Sequence, residues 1–415
     1  MFGGATRHSV GNASTIANSL WHSFMTRFLV RLVDWFYWAF SIAVLRSVSL
    51  VAARAQAAPD TVIVLRNCFV GDFVVAIPAL RKLRYAFPDA RIIFLTATSF
   101  SPGWKDKPLD DGVFQIEPGL IDEVVRYTSR DLHTVDSRAA LRSRLTGSSR
   151  LLTVAICYSA DSLLSRLKRV VLCRSLALPF PLGLTGARTL PAQYWLNRWR
   201  VGRDNIAHQQ EAATACVDEA LAQLGLPAIA ALPLARRRVP VASRAYVVGV
   251  APFTKQPVKQ WPLECFAEVM RSLATDTNLR FEIYGAREER DQAMHLEDML
   301  DSLVARVSLC GELTPLQLRK HIESVDLLLC LDSGPAHIAS LVGTPVVAIF
   351  SQITLHNFWR PWGPQGALIS VDVPCAACNT HTGQCPIGTK ACIDGVKPDT
   401  VAHRVRAVLA AAPSA

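Results

Sequence analysis

The sequence predicts an α/β protein of two halves, each with a parallel β-sheet covered by helices. Short β-branched apolar runs alternate with stretches whose apolar residues have helical spacing. This alternation occurs on both sides of a segment rich in Pro, Ala and Arg. Strand, helix and strand in such compact order indicate βαβ units with right-handed crossovers. A chain of 415 residues, half of them apolar, is long enough for two domains of this kind.

The first half begins with one βαβ unit. We predict a strand at residues 61–66, a turn that contains Gly71 and Asp72, a helix at residues 76–87 and a strand at residues 91–95. Residues 96–150 show no pattern from which we predict elements.

The second half repeats the alternation more clearly. We predict strands at residues 246–250, 280–284, 326–331 and 346–350, and helices at residues 263–275, 288–303 and 335–341. Pro227, Pro233 and Pro240 fall within residues 226–244, where we place the connection between the halves. The predicted organisation is an N-terminal segment (1–57), a first α/β domain (58–235), a linker (236–244) and a second α/β domain (245–415).

The N-terminal segment is predicted to contain an amphipathic helix. Residues 20–51 are rich in Trp, Phe and Leu, while Ser23, Arg27, Arg31 and Asp34 recur at helical steps. The longest charge-free run, residues 35–45, is shorter than the roughly 20 residues of a membrane-spanning helix, so a helix lying in the membrane interface is favoured. A secretory signal cleaved near Ala55-Gln56-Ala57, or a helix that packs on protein, remains open.

The net charge of +10 is compatible with nucleic acid, an anionic membrane surface or phosphorylated substrates. Arginines cluster between residues 126 and 203, but aromatic stacking residues are not interleaved with most of them, which argues against a nucleic-acid groove. A solvated basic face and a surface that faces acidic lipid both remain open.

Four segments carry residues suited to a nucleotide, and the most informative joins a buried strand to a helix. This segment is Leu331-Asp332-Ser333-Gly334-Pro335-Ala336-His337. The free N–H groups of a helix start and the positive end of its dipole favour a phosphate. We therefore expect Ser333, Gly334 and the helix start to hold phosphate and His337 to add a donor. An ordinary capped helix is the alternative.

The other three segments also follow predicted strands. Gly71 and Asp72 follow the first strand, where Asp72 could act as a general base, although capping of the next helix is the simpler role. Thr254 and Lys259 are suited to a leaving diphosphate, whereas solvent is the usual environment of a lysine. The acids Glu288-Glu289 could reach a ribose hydroxyl.

Taken together, these segments resemble glycosyltransferase family 9, the ADP-heptose:lipopolysaccharide heptosyltransferases and their relatives. The resemblance covers roughly residues 61–87 and 247–409. It is carried by Gly71-Asp72, Pro78-Ala79-Leu80, Lys259-Gln260-Trp261-Pro262, Asp332-Ser333-Gly334-Pro335-Ala336-His337 and Gly343-Thr344-Pro345. The family implies a GT-B fold, in which two Rossmann-like domains face each other, and inverting sugar transfer without an obligatory catalytic metal.

The resemblance also implies roles for individual residues. Asp72 would be the general base, beside Gly71, and Asp332 would orient its turn, with Glu288 or Glu289 near the nucleoside. The residues that would hold the donor diphosphate are Lys259, Thr254, Ser333, Gly334 and His337.

We therefore expect a transferase that moves heptose from ADP-heptose onto a lipopolysaccharide core or a related envelope glycan. It would work on the inner face of the bacterial inner membrane, with a nucleotide sugar, a lipid-linked acceptor and the membrane surface as partners, and without nucleic acid. Residues 96–244 match no motif, so the acceptor stays open. A nucleotide-sugar epimerase and a catalytically idle envelope-assembly protein are the alternatives.

Four of the eleven cysteines form a cluster near the C-terminus, at Cys375, Cys378, Cys385 and Cys392. Four thiolates can complete the tetrahedral shell of a structural zinc ion, although only the first pair has the close spacing typical of such sites. Free thiols or a reversible disulfide are the alternatives. No catalytic metal or other cofactor is expected.

Overall fold

The computed structural model describes residues 59–67, 70–97, 111–147, 150–158, 161, 163–186, 208–230, 245–275, 279–354, 356–363, 366–378 and 384–411, with isolated positions 40 and 43. The predicted interfacial helix lies outside these residues except at those two positions, and the linker 236–244 lies outside them entirely. Both, with the domain boundaries, stay predictions. Within the described ranges, every helix is too short or too polar to traverse a lipid bilayer.

The first half is a parallel sheet with helices, as predicted. In chain order its elements are β1 (Thr61–Leu65), α1 (Val70–Ala86), β2 (Arg91–Ala97), β3 (Glu123–Tyr127), α2 (Val135–Leu145), β4 (Leu151–Ala155), α3 (Leu163–Ser175) and α4 (Gln209–Gln223). The strands lie in the order β3-β2-β1-β4, and every pairing is parallel. The strand β1 is buried throughout, which is what its unbroken apolar run predicts for the centre of a parallel sheet.

The second half has a six-stranded parallel sheet. Its elements are β5 (Tyr246–Ala251), α5 (Leu263–Ala274), β6 (Leu279–Ile283), α6 (Arg290–Asp298), β7 (Arg306–Ser308), α7 (Pro315–Ser324), β8 (Leu327–Leu331), α8 (Gly334–Val342), β9 (Val346–Ile349), α9 (His356–Trp359), β10 (Gly366–Ile369), α10 (Ala391–Asp394) and α11 (Pro398–Ala410). The strand order is β10-β9-β8-β5-β6-β7. Each predicted strand of this half begins and ends within one residue of the observed one.

The two sheets share one doubly wound arrangement. Counted from the first strand of each half, the orders are 3-2-1-4 and 3-2-1-4-5-6, so the winding reverses between β1 and β4 and again between β5 and β8. Open α/β sheets bind ligands outside the carboxyl ends of the strands at such reversal points. The fold therefore predicts one ligand-binding position in each half, at the carboxyl ends of the strands where the winding reverses.

Helix α1 corrects one prediction. It begins at Val70 rather than at residue 76, so Gly71 and Asp72 lie in its first turn and not in a preceding loop. A proline in the interior of a helix removes one backbone hydrogen bond and usually interrupts the helix. The structure instead holds Pro78 inside the helix, because the flanking residues from Phe73 to Leu83 are almost all buried and their packing outweighs the lost backbone hydrogen bond.

The helix predicted at residues 288–303 is also shorter than expected. A 3₁₀ turn at Arg287–Glu289 precedes α6, which ends at Asp298. The Arg306 guanidinium donates hydrogen bonds to the carbonyls of Glu297, Leu300, Asp301 and Val304. These bonds satisfy carbonyls that a continuing helix would have used, so the chain can turn toward β7.

Helices from the two halves pack directly on each other. A Cβ added at Gly71 of α1 would lie 2.9 Å from Cδ2 of His337 in α8, and one added at Gly334 would lie 2.9 Å from a methyl group of Val70. The absence of side chains at both glycines therefore lets the two helix starts meet. Arg319 of α7 adds a polar contact by donating to the carbonyl of Ile116 at 2.9 Å.

Candidate active site

The loop after β5 is held in shape by Gln260 and Trp261. The Gln260 amide accepts a hydrogen bond from the Thr254 N–H at 3.2 Å and donates to the carbonyls of Pro252 and Trp261 at 2.7 and 2.8 Å. The Trp261 ring is fully buried, and its N–H donates to the carbonyl of Val396. A loop fixed in this way loses little entropy when Lys259, which ends its 3₁₀ turn, binds a ligand.

Lys259 forms an ion pair with Asp332 at the reversal point of the second sheet. Its Nζ lies 2.7 Å from Oδ2 of Asp332, and the two side chains are 15% and 6% exposed. Lys259 follows β5 and Asp332 follows β8, which are neighbouring strands. The pair brings together two residues that the sequence separates by 73 positions.

The start of α8 is next to this pair. Ser333 is the N-cap residue in extended conformation, its side chain makes no capping hydrogen bond, and Pro335 occupies the first turn. The Ser333 hydroxyl donates instead to the carbonyl of Leu331 at 3.3 Å. The helix ends at Val342 and is capped by Gly343, whose φ of 79° is the left-handed conformation that glycine adopts without strain. A nine-residue helix thus directs its positive end toward the edge of the sheet where Lys259 lies.

His337 lies within α8 and is neutral at physiological pH. Burial lowers its pKa to about 4, the charge of Asp332 partly opposes this shift, and His208 and Lys259 add to it. The imidazole contacts Gly71 and lies 5.9 Å from the ring of Trp359. His337 can therefore offer an N–H to a ligand, but it adds no positive charge to the site.

The predicted base Asp72 is half-buried in the first turn of α1. Its neighbour Gly71 touches His337, so the start of α1 lies against the start of α8. The structure thus brings Gly71, Gly334 and His337 together, with Lys259 and Asp332 beside them. The catalytic role of Asp72 stays a prediction.

Thr254 and the two acids after β6 take part in local structure. The Thr254 hydroxyl accepts from the Gln256 N–H at 3.3 Å. Glu289 accepts from the Ala286 N–H at 2.7 Å, and burial raises its pKa, while Glu288 is exposed. Neither acid forms an ion pair with Lys259 in the described part of the chain, and their role near a nucleoside stays a prediction.

The sequence interpretation missed an aromatic group at the boundary between the halves. His208 caps the start of α4, where its Nδ1 accepts a hydrogen bond from the Gln210 N–H at 3.1 Å. Because Nδ1 is the acceptor, Nε2 carries the proton and donates it to the carbonyl of Arg360 at 2.9 Å. The imidazole ring lies 4.9 Å from that of Trp362. The Glu three residues after His208 is a capping-box signature, but histidine is not among the usual cap residues, so the pattern was not recognised.

The four clustered cysteines form no disulfide with one another or with another described cysteine. Burial raises the pKa of Cys392, and the charges of Cys375, Cys378 and Cys385 raise it further, so the four lie within electrostatic reach of one another. Among the residues that the structure describes, no three Cys, His, Asp or Glu side chains are arranged to hold a metal ion. The structural zinc therefore stays a prediction.

Comparison with known proteins gives a family model that matches residues 165–386, more than half of the chain: glycosyltransferase family 9 (heptosyltransferase). Lipooligosaccharide heptosyltransferase 2 of Campylobacter jejuni is 29% identical over 151 residues, which are 36% of this chain and 46% of that protein. The chain thus matches about half the length of this curated relative.

Two solved structures are similar in fold. The glycosyl transferase family 9 protein of Veillonella parvula matches with a TM-score of 0.60 at 15% identity, over 86% of this chain and 99% of that one. An Escherichia coli heptosyltransferase with ADP-2-deoxy-2-fluoro heptose matches with a TM-score of 0.54 at 15% identity, over 84% and 99%. These matches and the two parallel sheets confirm the GT-B fold class.

Proposed function

The chain belongs to glycosyltransferase family 9, and on that premise we propose that it is an inverting glycosyltransferase. The proposed reaction moves heptose from ADP-heptose onto a lipopolysaccharide core or a related envelope glycan. The similar Campylobacter jejuni protein is a lipooligosaccharide heptosyltransferase, and the similar Escherichia coli structure contains an ADP-heptose analogue. The observation that carries the proposal in this chain is the Lys259–Asp332 pair beside the start of α8.

On the donor side, the diphosphate would bind between Lys259 and the first turn of α8. A phosphate oxygen can take the place of the Asp332 carboxylate at Lys259 or share the ammonium with it, because the ammonium has three donors. The N–H groups at the helix start and the helix dipole add fixed positive potential. Charge that develops on the leaving ADP is then met by groups already in position, and no metal ion is required for that step.

On the acceptor side, Asp72 would accept the proton of the attacking hydroxyl. The hydroxyl oxygen forms a bond to the anomeric carbon of the sugar, while the bond from that carbon to the diphosphate oxygen breaks with its electron pair. The proton passes to the Asp72 carboxylate, and attack from the face opposite the leaving group inverts the anomeric centre. The half-buried position of Asp72 at the start of α1 is compatible with this role.

Asp72→Asn tests the base. We expect transfer to fall by about 10²–10⁴-fold, the usual contribution of a general base, while ADP binding changes by less than a few-fold. Asp136→Asn is the matched control, because Asp136 is also an acid in the first turn of a helix but is exposed. Full turnover in Asp72→Asn would remove the base assignment.

Lys259→Met tests the donor site. We expect ADP affinity, measured by titration calorimetry, to fall about tenfold or more, since a charge-assisted contact of ~1.5–3 kcal/mol is lost. Lys255→Met changes an exposed lysine of the same loop and should bind ADP like the wild type. Equal affinity of all three proteins would contradict the proposed diphosphate site.

The reaction class is tested by omitting the acceptor. A transferase forms no new glycan without it, whereas an epimerase would convert the nucleotide sugar by itself. A binding protein without activity would bind ADP-heptose and never release ADP in the presence of acceptor. Either of these results would replace the transferase proposal.

We propose that the protein works at the inner face of the inner membrane, held there by residues 20–51. A lipid-linked acceptor confines the reaction to a membrane surface, and an interfacial helix would bring the enzyme to it. Deleting residues 1–53 should move the protein out of the membrane fraction while leaving ADP binding unchanged. Unchanged sedimentation of the deleted form would refute the interfacial helix.

A further inference from the structure

Lys390 has a backbone conformation that lysine rarely adopts. Its φ of 47° and ψ of 23° lie in the left-handed region, where glycine meets no steric penalty and residues with a side chain are strained. Among the described non-glycine residues, only Ala177 and Ala377 also have a positive φ. Lys390 is the N-cap residue of α10 as well, yet its side chain makes no capping hydrogen bond, and asparagine or glycine would suit this position better. Local preferences therefore disfavour lysine here, which indicates that its side chain is required for a contact elsewhere.

That contact is with the loop that carries Lys259. The Lys390 ammonium donates to the main-chain carbonyl of Gln260 at 3.2 Å. The N–H of Gln260 donates to the carbonyl of Pro257, also at 3.2 Å, which closes the 3₁₀ turn that ends at Lys259. Both backbone polar groups of the residue directly after Lys259 are therefore held, one from within the loop and the other by Lys390.

The chain that follows Lys390 supports the next residue of the same loop. The ring N–H of Trp261 donates to the carbonyl of Val396 at 3.2 Å. Only the single turn of α10 and one glycine lie between Lys390 and Val396. Residues 390–396 thus anchor two consecutive loop residues, although 130 and 135 positions separate the bonded partners.

The charge of Lys390 is largely compensated. Its ammonium pairs with the carboxylate of Asp394, four residues further along the chain, at 3.3 Å. The two side chains are 32% and 40% exposed, so water also screens the pair. Lys390 therefore attracts a distant diphosphate only weakly. A donor that fixes the loop, by contrast, reduces the entropy that Lys259 loses when it binds a ligand.

We infer that Lys390 is a positioning residue for donor binding, which holds the Gln260 carbonyl so that the Lys259 ammonium stays in place for a diphosphate. The Lys259 ammonium already lies 2.7 Å from Oδ2 of Asp332, so little rearrangement of the loop is needed when a phosphate oxygen arrives. The inference rests on the proposed role of Lys259 in binding ADP, but ADP binding can be measured without any transfer.

The first experiment measures ADP binding by titration calorimetry. Lys390→Gly and Lys390→Met both lose the donor, so the Kd of ADP should rise about fivefold in each, which corresponds to ~1 kcal/mol. Lys390→Arg keeps a cationic donor and should restore most of the affinity. Lys397→Met changes an exposed lysine of the same region and should bind ADP like the wild type. An unchanged Kd in the glycine and methionine variants would overturn the inference, and so would an equal loss in Lys397→Met, because the effect would then follow from charge alone.

The glycine and methionine variants also separate positioning from a general structural role. Glycine relieves the left-handed strain at position 390 and methionine retains it, so the Tm of Lys390→Gly should be higher than that of Lys390→Met. The affinity for ADP should nevertheless fall equally in both, because both lack the donor. If affinity followed stability instead, with Lys390→Gly binding ADP like the wild type, the role of Lys390 would be structural and the inference would be wrong.

A double-mutant cycle tests whether the effect passes through Lys259. In the Lys259→Met protein, Lys390→Gly should leave the Kd of ADP nearly unchanged, because the ammonium that it positions is gone. A further loss of about fivefold in the double variant would mean that the two lysines act independently, which contradicts the inference. A loss in Lys259→Met without one in Lys390→Gly removes the inference alone. Wild-type affinity in Lys259→Met removes the proposed diphosphate site, and the inference with it.

Discussion

The Lys259–Asp332 pair should contribute a coupling energy that a double-mutant cycle can measure. At the observed 2.7 Å, two unit charges attract by ~6 kcal/mol at an effective dielectric constant of about 20. Desolvation of both groups offsets part of this attraction, since only 15% and 6% of the side chains remain exposed. Replacing one partner leaves the other buried without its counterion, so we expect each single variant to lose ~3 kcal/mol of unfolding free energy.

The cycle consists of Lys259→Met, Asp332→Asn and the double variant, each unfolded in urea without nucleotide. The double variant should be much more stable than the sum of the two single losses predicts, because neither charge is then left alone. Lys255→Met, in the same loop but exposed, should change the unfolding free energy by less than ~0.5 kcal/mol. If the two single losses simply add, the ion pair does not exist in solution and the reasoning from its geometry is refuted.

Three further predictions concern neighbouring features. Burial lowers the pKa of His337 in the folded protein to about 4, whereas the ordinary pKa of a histidine is about 6.5. The unfolded chain therefore takes up the proton first, and stability is lost as the pH falls from about 6.5 to 4. This loss should be smaller by about 3 kcal/mol in His337→Gln, and an imidazole signal of His337 that titrates near pH 6.5 would contradict the burial. Gly71→Ala should lower the unfolding free energy by ~1–3 kcal/mol, because the added methyl group overpacks against the His337 imidazole. Gly147→Ala is the control: its methyl group would lie near the flexible Arg91 side chain, and stability should be nearly unchanged. A Gly71→Ala protein as stable as the wild type would exclude the close contact. If the cysteine cluster binds zinc, protein purified without chelator should contain about one zinc ion per chain, and Cys375→Ser should contain none. A wild-type protein without metal would favour free thiols.

Much of the fold could be predicted because its signals are local. The apolar runs that became β1, β5, β8 and β9 lie in the centres of parallel sheets, where both faces are buried, so hydrophobicity alone marks them. The strand β3 was missed because it is an edge strand with only Val125 fully buried, and its sequence carries little hydrophobic signal. The start of α1 was misplaced because the packing of its buried face, rather than its local preferences, decides where it begins.

By itself the sequence determined the α/β class and the short motifs in which Asp72, Lys259, Asp332 and His337 occur, because strand and helix periodicity and turn residues act over a few positions. Tertiary structure alone decided that Lys259 pairs with Asp332, that Gly71 admits His337, and that Arg66 and Arg166 are buried with no ion-pair partner among the described residues. These facts depend on distances between residues far apart in the chain. Such distances follow from the order of the strands and the packing of the two halves, which no local pattern encodes.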